Sequence, residues 1–221
     1  MPVVVLICAA VGAALGPIID RAAERVPFLG RAPEDVHRHR RIPGRLVVSC
    51  VLTAGAFAAM AARFGARPVL LPYLGLVAAL VALTLVDVEH HRLPDRIVFP
   101  ALAVAIPAVV VVSLVEGVPS AIPQALIGLV AYAGVLFVFA LISPAGMGPG
   151  DVKLGLLLGL FLGWIDLYLV LMGLFFGTLL GAVVSVLVLA VSRDRKAGFP
   201  YGPNLCIGAV AAIALSSHLL G

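Results

Sequence analysis

Apolar segments long enough to cross a lipid bilayer dominate this sequence. Residues 69–86 and residues 121–142 each form such a segment, and neither contains Asp, Glu, Lys or Arg. A spanning α-helix needs about 20 consecutive apolar residues. A helix also bonds its own backbone polar groups, which lipid requires. With 62% hydrophobic and 12% charged residues, the chain is too apolar for a soluble domain of this size. The sequence predicts an all-α polytopic membrane protein.

About eight transmembrane helices are predicted, within a single membrane-embedded domain covering residues 1–221. Gly12 and Gly16 give the first span a small face suited to close helix packing. Trp164 lies at the turn between two later spans and is expected to anchor at the lipid–water interface. The predicted spans cover residues 3–19, 46–64, 69–86, 97–115, 121–142, 152–163, 167–191 and 203–220.

The basic residues are confined to short segments between the spans. Residues 20–45 hold seven arginines and are predicted to form a basic cytoplasmic loop. With that side cytoplasmic, thirteen of the fifteen Lys and Arg residues lie in cytoplasmic segments, as the positive-inside rule expects. Both termini then lie outside, and Asp87 and Asp151 share the cytoplasmic side. Because the charge follows the loops, we do not expect nucleic-acid binding.

Two aspartates each lie at the end of an apolar segment. Asp87 ends residues 69–86, and Asp151 follows the glycine-rich stretch 146–150. An ionisable group at the edge of a membrane span is costly unless it is paired, hydrated or used. Two facing carboxyl groups share one proton, so one serves as general acid while the other activates water. The placement predicts a catalytic dyad; the alternative is that both are solvated helix caps.

Other polar residues near these aspartates have less definite predicted roles. Lys153 is expected to contact substrate or lipid, or to form an ion pair. Asp95 follows Pro94 and is expected to cap the fourth span. Glu89 is a candidate to tune the field at the dyad. Glu89 and the two histidines after it lack HExxH spacing, so no metal site is predicted, and no cofactor is expected.

Several motifs carry a resemblance to the prepilin (type IV leader) peptidase family, the GxGD-type intramembrane aspartic proteases. Residues 148–154 read GPGDVKL and match the family's GxGDxKL motif. Asp87 with residues 93–95 (LPD) is similar to its other aspartate motif. Residues 199–203 (FPYGP) resemble the segment that opens its last helix. The amino-terminal motif is matched in part, by Gly12, Gly16, Arg25 and Pro27.

The resemblance implies a fold and an activity. It implies a bacterial inner-membrane aspartic endopeptidase that removes the basic leader of a prepilin or pseudopilin at the cytoplasmic face, before the substrate's hydrophobic helix. Asp87 and Asp151 would be catalytic, with Gly148, Gly150, Lys153, Glu89, Pro94 and Asp95 shaping the site or contacting substrate. Larger family members carry cysteine pairs linked with N-methylation. Residues 20–45 contain no cysteine, so methylation is not expected. The competing function class is a transporter or scaffold whose aspartates bind a proton or cation.

Overall fold

Eight α-helices make up the part of the protein that the structure describes. The computed structural model describes residues 2–25, 42–91, 93–143, 147–192 and 200–216, and this part of the chain contains no strand. The helices are α1 (Pro2–Arg25), α2 (Arg45–Phe64), α3 (Leu70–His90), α4 (Asp95–Val115), α5 (Ala121–Ile142), α6 (Pro149–Ile165), α7 (Leu167–Ser192) and α8 (Gly202–Leu215). Six of them, α1 to α5 and α7, are long and apolar enough to cross a membrane, which confirms the predicted all-α class.

Neighbouring helices form three close pairs, α1 with α2, α5 with α6, and α7 with α8. Glycines make the close approach possible. A Cβ added at Gly16 would lie 2.6 Å from Cα of Cys50, and one added at Gly163 would lie 2.8 Å from Cα of Gly128. Neither position has room for a side chain, because van der Waals packing between helix backbones fills the space. The predicted packing face of α1 is confirmed.

Helix α6 lies at the centre of the bundle. Its residues 157–165 are all buried, and it packs against α5, α7, α4 and α8. A helix that is apolar on every side and enclosed by other helices belongs to the interior of a bundle. The first turn of α6, which carries Asp151, is therefore held by protein on several sides.

An aromatic cluster joins the opposite end of α6 to α3 and α4. Trp164 stacks on Tyr73 with ring centroids 5.6 Å apart, and its Nε1 donates to Oγ of Ser113 over 2.8 Å. The Tyr73 hydroxyl donates to the carbonyl oxygen of Phe161 over 2.7 Å. Trp164 is fully buried, so the prediction of an interfacial anchor was wrong. The indole N–H finds its partner inside the protein, as buried Trp usually requires.

The basic loop begins later than predicted. Helix α1 continues through Arg25, so residues 20–25 are helical. Arg45 is the first residue of α2, and its guanidinium contacts Asp20 at the carboxyl half of α1. The rest of the loop, residues 26–41, lies outside the described residues, as do residues 92, 144–146, 193–199 and 217–221.

Candidate active site

Asp87 and Asp151 occupy helix ends that point into the same part of the bundle. Asp87 lies in the last turn of α3, which ends at His90. Asp151 lies in the first turn of α6. Their side chains are 5% and 7% exposed, which separates them from solvated helix caps. Burying a carboxyl group is costly unless it is hydrogen-bonded or neutralised, so the contacts of each aspartate matter.

Asp87 is held by a backbone group from the far end of the chain. The N–H of Gly202, the first residue of α8, donates to its Oδ2 over 3.1 Å. A Cβ added at Gly202 would lie 2.7 Å from that oxygen. Glycine is therefore the residue that lets the α8 backbone reach the carboxyl group.

Asp151 is held by the turn that precedes its own helix. The N–H of Gly148 donates to its Oδ2 over 3.0 Å, and Pro149 begins the helix, a favoured position for proline. Asp151 lies outside the six candidate spans. Burial raises the pKa of Asp151 above its ordinary value, and the hydrogen bond from Gly148 opposes part of that rise. The site therefore favours a protonated carboxyl group more than water does.

A cavity of about 340 Å³ brings the two aspartates together. Its walls come from the end of α3, the segment after it, and the first turn of α6. A Cβ added at Gly150 would lie 2.9 Å from Cβ of Leu93, so glycine at this position keeps the two walls in contact without closing the space. The lining residues are Asp87, His91, Leu93, Gly148, Pro149, Gly150, Asp151 and Lys153.

Lys153 forms an ion pair at the edge of this cavity. Its Nζ lies 2.6 Å from Oδ1 of Asp95 and 5.6 Å from the ring centroid of Phe99, so it links α6 to the first turn of α4. The N-cap residue of α4 is Pro94, and no side chain caps the helix there. The prediction that Asp95 caps α4 was therefore wrong; its carboxylate pairs with Lys153 instead.

Glu89 is not among the residues that line the cavity. It is 1% exposed, and its Oε2 lies 2.8 Å from Nη1 of Arg45. The N–H of Ile42 donates to its other oxygen over 3.3 Å. Arg45 also binds Asp20 of α1, with 2.7 Å between Nε and Oδ1. Because Arg45 balances the charge of Glu89, these contacts do not support the predicted tuning of the field at the dyad by Glu89.

Besides Pro149, three residues that contact the site were absent from the predicted set. His91 and Leu93 line the cavity, and Gly202 holds Asp87. Gly202 belongs to the FPYGP segment, which was a signal in the sequence, but nothing there indicates a bond to Asp87. Tyr201 lies close by: burial raises the pKa of its hydroxyl, and the charge of Asp151 raises it further.

The sequence also matches a known protein family. Residues 74–189, about half of the chain and the part that carries both aspartates, match the type IV leader peptidase family. The chain belongs to the type IV leader peptidase family. The predicted resemblance is confirmed at the level of the family. This match argues against the alternative that the chain is a transporter.

Similar curated proteins carry the corresponding name. One from Pseudomonas putida is 36% identical over 68% of this chain and 52% of its own length. One from Burkholderia pseudomallei is 34% identical over 87% of this chain and 63% of its own length. A third, from Bacillus subtilis, is 29% identical over 77% of this chain and 66% of its own length. All three are named prepilin leader peptidase/N-methyltransferase. The chain thus spans about half to two thirds of their length. No solved structure matches the chain.

Proposed function

We propose that this protein is a membrane aspartic endopeptidase that cleaves the basic leader from type IV prepilin or pseudopilin precursors. One observation carries the proposal: two buried carboxyl groups on different helices, Asp87 and Asp151, line one cavity of about 340 Å³. The family supports the reaction class, and the names of similar proteins support a prepilin substrate.

The proposed chemistry uses one proton shared between the two aspartates. The ionised carboxylate takes a proton from a water molecule, whose oxygen attacks the carbonyl carbon of the scissile peptide bond. The protonated carboxyl group gives its proton to the leaving nitrogen, and the C–N bond breaks. The products are a carboxyl group and an amine, and the dyad again holds one proton. Two ionised carboxylates in one buried site would repel each other, and this repulsion favours the state with one shared proton.

The glycines beside Asp151 would admit the substrate backbone. Gly148 and Gly150 line the cavity and carry no side chain that would obstruct an extended peptide. Lys153 and Asp95 lie at the edge, where their ion pair would limit the width of the entrance. Glu89 would act indirectly, by fixing the end of the helix that carries Asp87.

We propose that the site faces the cytoplasm of a bacterial inner membrane. The distribution of Lys and Arg supports this orientation, because thirteen of fifteen lie in segments on the side of the two aspartates. The basic stretch of residues 20–45 contains no cysteine. We therefore do not extend the methyltransferase half of the relatives' name to this chain.

Cleavage of a co-expressed precursor tests the proposal. A type IV prepilin would be expressed with the wild-type protein, or with a variant carrying both Asp87→Asn and Asp151→Asn, in cells that lack other leader peptidases. We expect a shorter pilin with the wild type alone, and mass spectrometry should place its new amino terminus between the basic leader and the apolar helix. Equal processing by the double variant, or no processing of several prepilins by the wild type, would overturn the proposal.

A further inference from the structure

A long apolar groove runs along the three helices that carry the candidate site. It encloses about 780 Å³ between α3, α4 and α6. Helix α3 carries Asp87, α6 carries Asp151, and α4 begins at Asp95. Its walls include Gly75 and Ala79 of α3, Val104 and Ala108 of α4, and Leu157 and Phe161 of α6.

The groove continues the face of α6 that borders the catalytic cavity. Lys153, Leu157 and Phe161 follow one another at four-residue spacing and so lie on one side of the helix. Lys153 lines the cavity, whereas Leu157 and Phe161 line the groove. The ion pair between Lys153 and Asp95 therefore lies between the polar cavity and the apolar groove.

The helical rise gives the distance along each helix from the aspartates to the groove. At a rise of about 1.5 Å per residue, Ala79 lies about 12 Å along α3 from Asp87, and Leu71 lies about 24 Å from it. Along α6, Leu157 and Phe161 lie about 9 and 15 Å from Asp151. The groove thus begins roughly two helical turns from the dyad and extends along α3 almost to its opposite end.

Helix α4 leaves this space open. Pro100 and Pro107 lie inside it and both line the groove. Each proline lacks a backbone N–H and crowds the preceding turn. Val104, between them, is 70% exposed. A polar ligand would find no partners on these walls, so the occupant has to be apolar along the same length.

From these observations we infer that the α3/α4/α6 groove is the docking surface for the apolar membrane helix of the substrate. This inference rests on the proposed peptidase function. A substrate whose scissile bond lies between Asp87 and Asp151 would place its following helix along the groove, which begins about two helical turns beyond the dyad. Recognition is then divided: the cavity binds the backbone at the cleaved bond, and the groove selects substrates with an apolar helix immediately after it.

Crosslinking tests the docking without relying on catalysis. A photoreactive benzoyl-phenylalanine would replace Val104 in the groove, or Val130 on α5, which is 67% exposed and lies outside the groove. Both variants would carry Asp87→Asn, so that the prepilin stays intact. We expect a crosslink to the prepilin from position 104, mapped to its apolar helix, and none from position 130. Crosslinks from 104 to lipid alone, or equal crosslinks from both positions, would overturn the inference.

Filling the groove gives a second test. A Cβ added at Gly75 meets nothing within 4 Å, and the same is true at Gly55 and Gly134. Gly75→Leu would fill the groove, Gly55→Leu would fill a separate apolar groove between α2, α3 and α8, and Gly134→Leu would face outward from α5. We expect Gly75→Leu alone to raise KM for the full-length precursor at least tenfold, with little change in kcat.

The outcomes separate the groove from the reaction. If the wild type cleaves prepilin and Gly75→Leu cleaves it with an unchanged KM, the docking inference fails and the proposed function stands. A raised KM with Gly55→Leu instead of Gly75→Leu would place docking in the other groove and would also overturn the inference. If the wild type cleaves no prepilin, the proposed function itself fails.

Discussion

The backbone N–H of Gly202 donates a hydrogen bond to Oδ2 of Asp87 over 3.1 Å. This bond joins the first turn of α8 to the last turn of α3, across 115 positions of the chain. Asp151, in contrast, is fixed by Gly148 from within its own helix start. The geometry of the pair therefore depends on how α8 docks against α3.

Gly202→Ala tests that dependence. The added methyl carbon would lie 2.7 Å from Oδ2 of Asp87, so either the carboxyl group or the start of α8 has to move. A misplacement of about 1 Å in a catalytic group costs up to about 100-fold in rate. We expect kcat for prepilin cleavage to fall at least tenfold in protein that still folds. Gly134→Ala, where the methyl group meets nothing within 4 Å, is the matched control. Wild-type kcat in folded Gly202→Ala would contradict this role.

Asp151→Asn should make the protein more stable while removing activity. Because burial raises the pKa of Asp151, the folded state binds a proton more readily than the unfolded state. Stability is then fully present below the unfolded pKa and is lost as pH rises through the folded pKa. At pH 7.5 the neutral amide avoids that loss, and it keeps an acceptor for Gly148. We expect a gain of about 1 kcal/mol, or about 2–4 °C in Tm.

Thermal melts in detergent at pH 7.5 and pH 4 would measure this effect. The difference between Asp151→Asn and wild type should shrink at the lower pH, because the wild-type carboxyl group is then largely protonated in the folded state and about half protonated in the unfolded state. A variant that melts below the wild type at pH 7.5 would show that Asp151 contributes its charge to the fold.

The pH dependence of cleavage should be bell-shaped. As pH falls, the carboxylate that activates water becomes protonated, and as pH rises, the shared proton is lost. Because burial raises the pKa of Asp151, the lower limb should lie above the pH at which free aspartate titrates. The two apparent pKa values of the profile belong to the pair of aspartates and not to either residue alone. A profile of kcat/KM that is flat between about pH 4 and pH 9 would contradict a carboxyl dyad.

The partly buried cluster of Arg45, Glu89 and Asp20 should be important for folding. Removing Arg45 leaves the carboxylates of Glu89, which is 1% exposed, and Asp20 without their cation, and breaking a buried pair in this way costs about 3 kcal/mol or more. We expect Arg45→Met to lower Tm clearly and Glu89→Gln to lower it less, because Asp20 still pairs with Arg45. The triple variant Asp20→Asn, Arg45→Met and Glu89→Met removes all three charges and should recover much of the loss. A Glu89→Gln protein that melts like the wild type would show that this pair adds little.

The helices were predicted well because the length and apolar composition that define a membrane helix can be seen in the segment itself. An apolar segment such as residues 121–142 is long enough to span a bilayer by itself, and α5 covers the same residues. The position of Asp87 and Asp151 at span ends was equally visible. What the sequence did not contain was the neighbours of each span: Trp164 looked interfacial, yet Ser113 and Tyr73 enclose it.

The contacts of the site were predicted least well, for the same reason. Lys153 pairs with Asp95 because α4 begins beside α6, and Glu89 meets Arg45 because α2 begins beside the end of α3. The spacing of these residues along the chain gives no sign of either pair. Both pairs depend on how the helices pack. That packing is determined by many apolar surfaces that resemble one another in the sequence.

Separate replacement of the two aspartates is the most direct test of the proposed dyad. Wild type, Asp87→Asn, Asp151→Asn and Asp166→Asn would be purified in detergent and assayed for kcat on a prepilin, with folding checked by thermal melts. Asp166 is the matched control, because it follows the opposite end of α6 and its side chain accepts a hydrogen bond from Tyr168, which Asn preserves. We expect at least a thousandfold loss of kcat for Asp87→Asn and for Asp151→Asn, on the order of removing a key catalytic group, and none for Asp166→Asn. Wild-type kcat in either of the first two variants would show that the reaction does not use this pair.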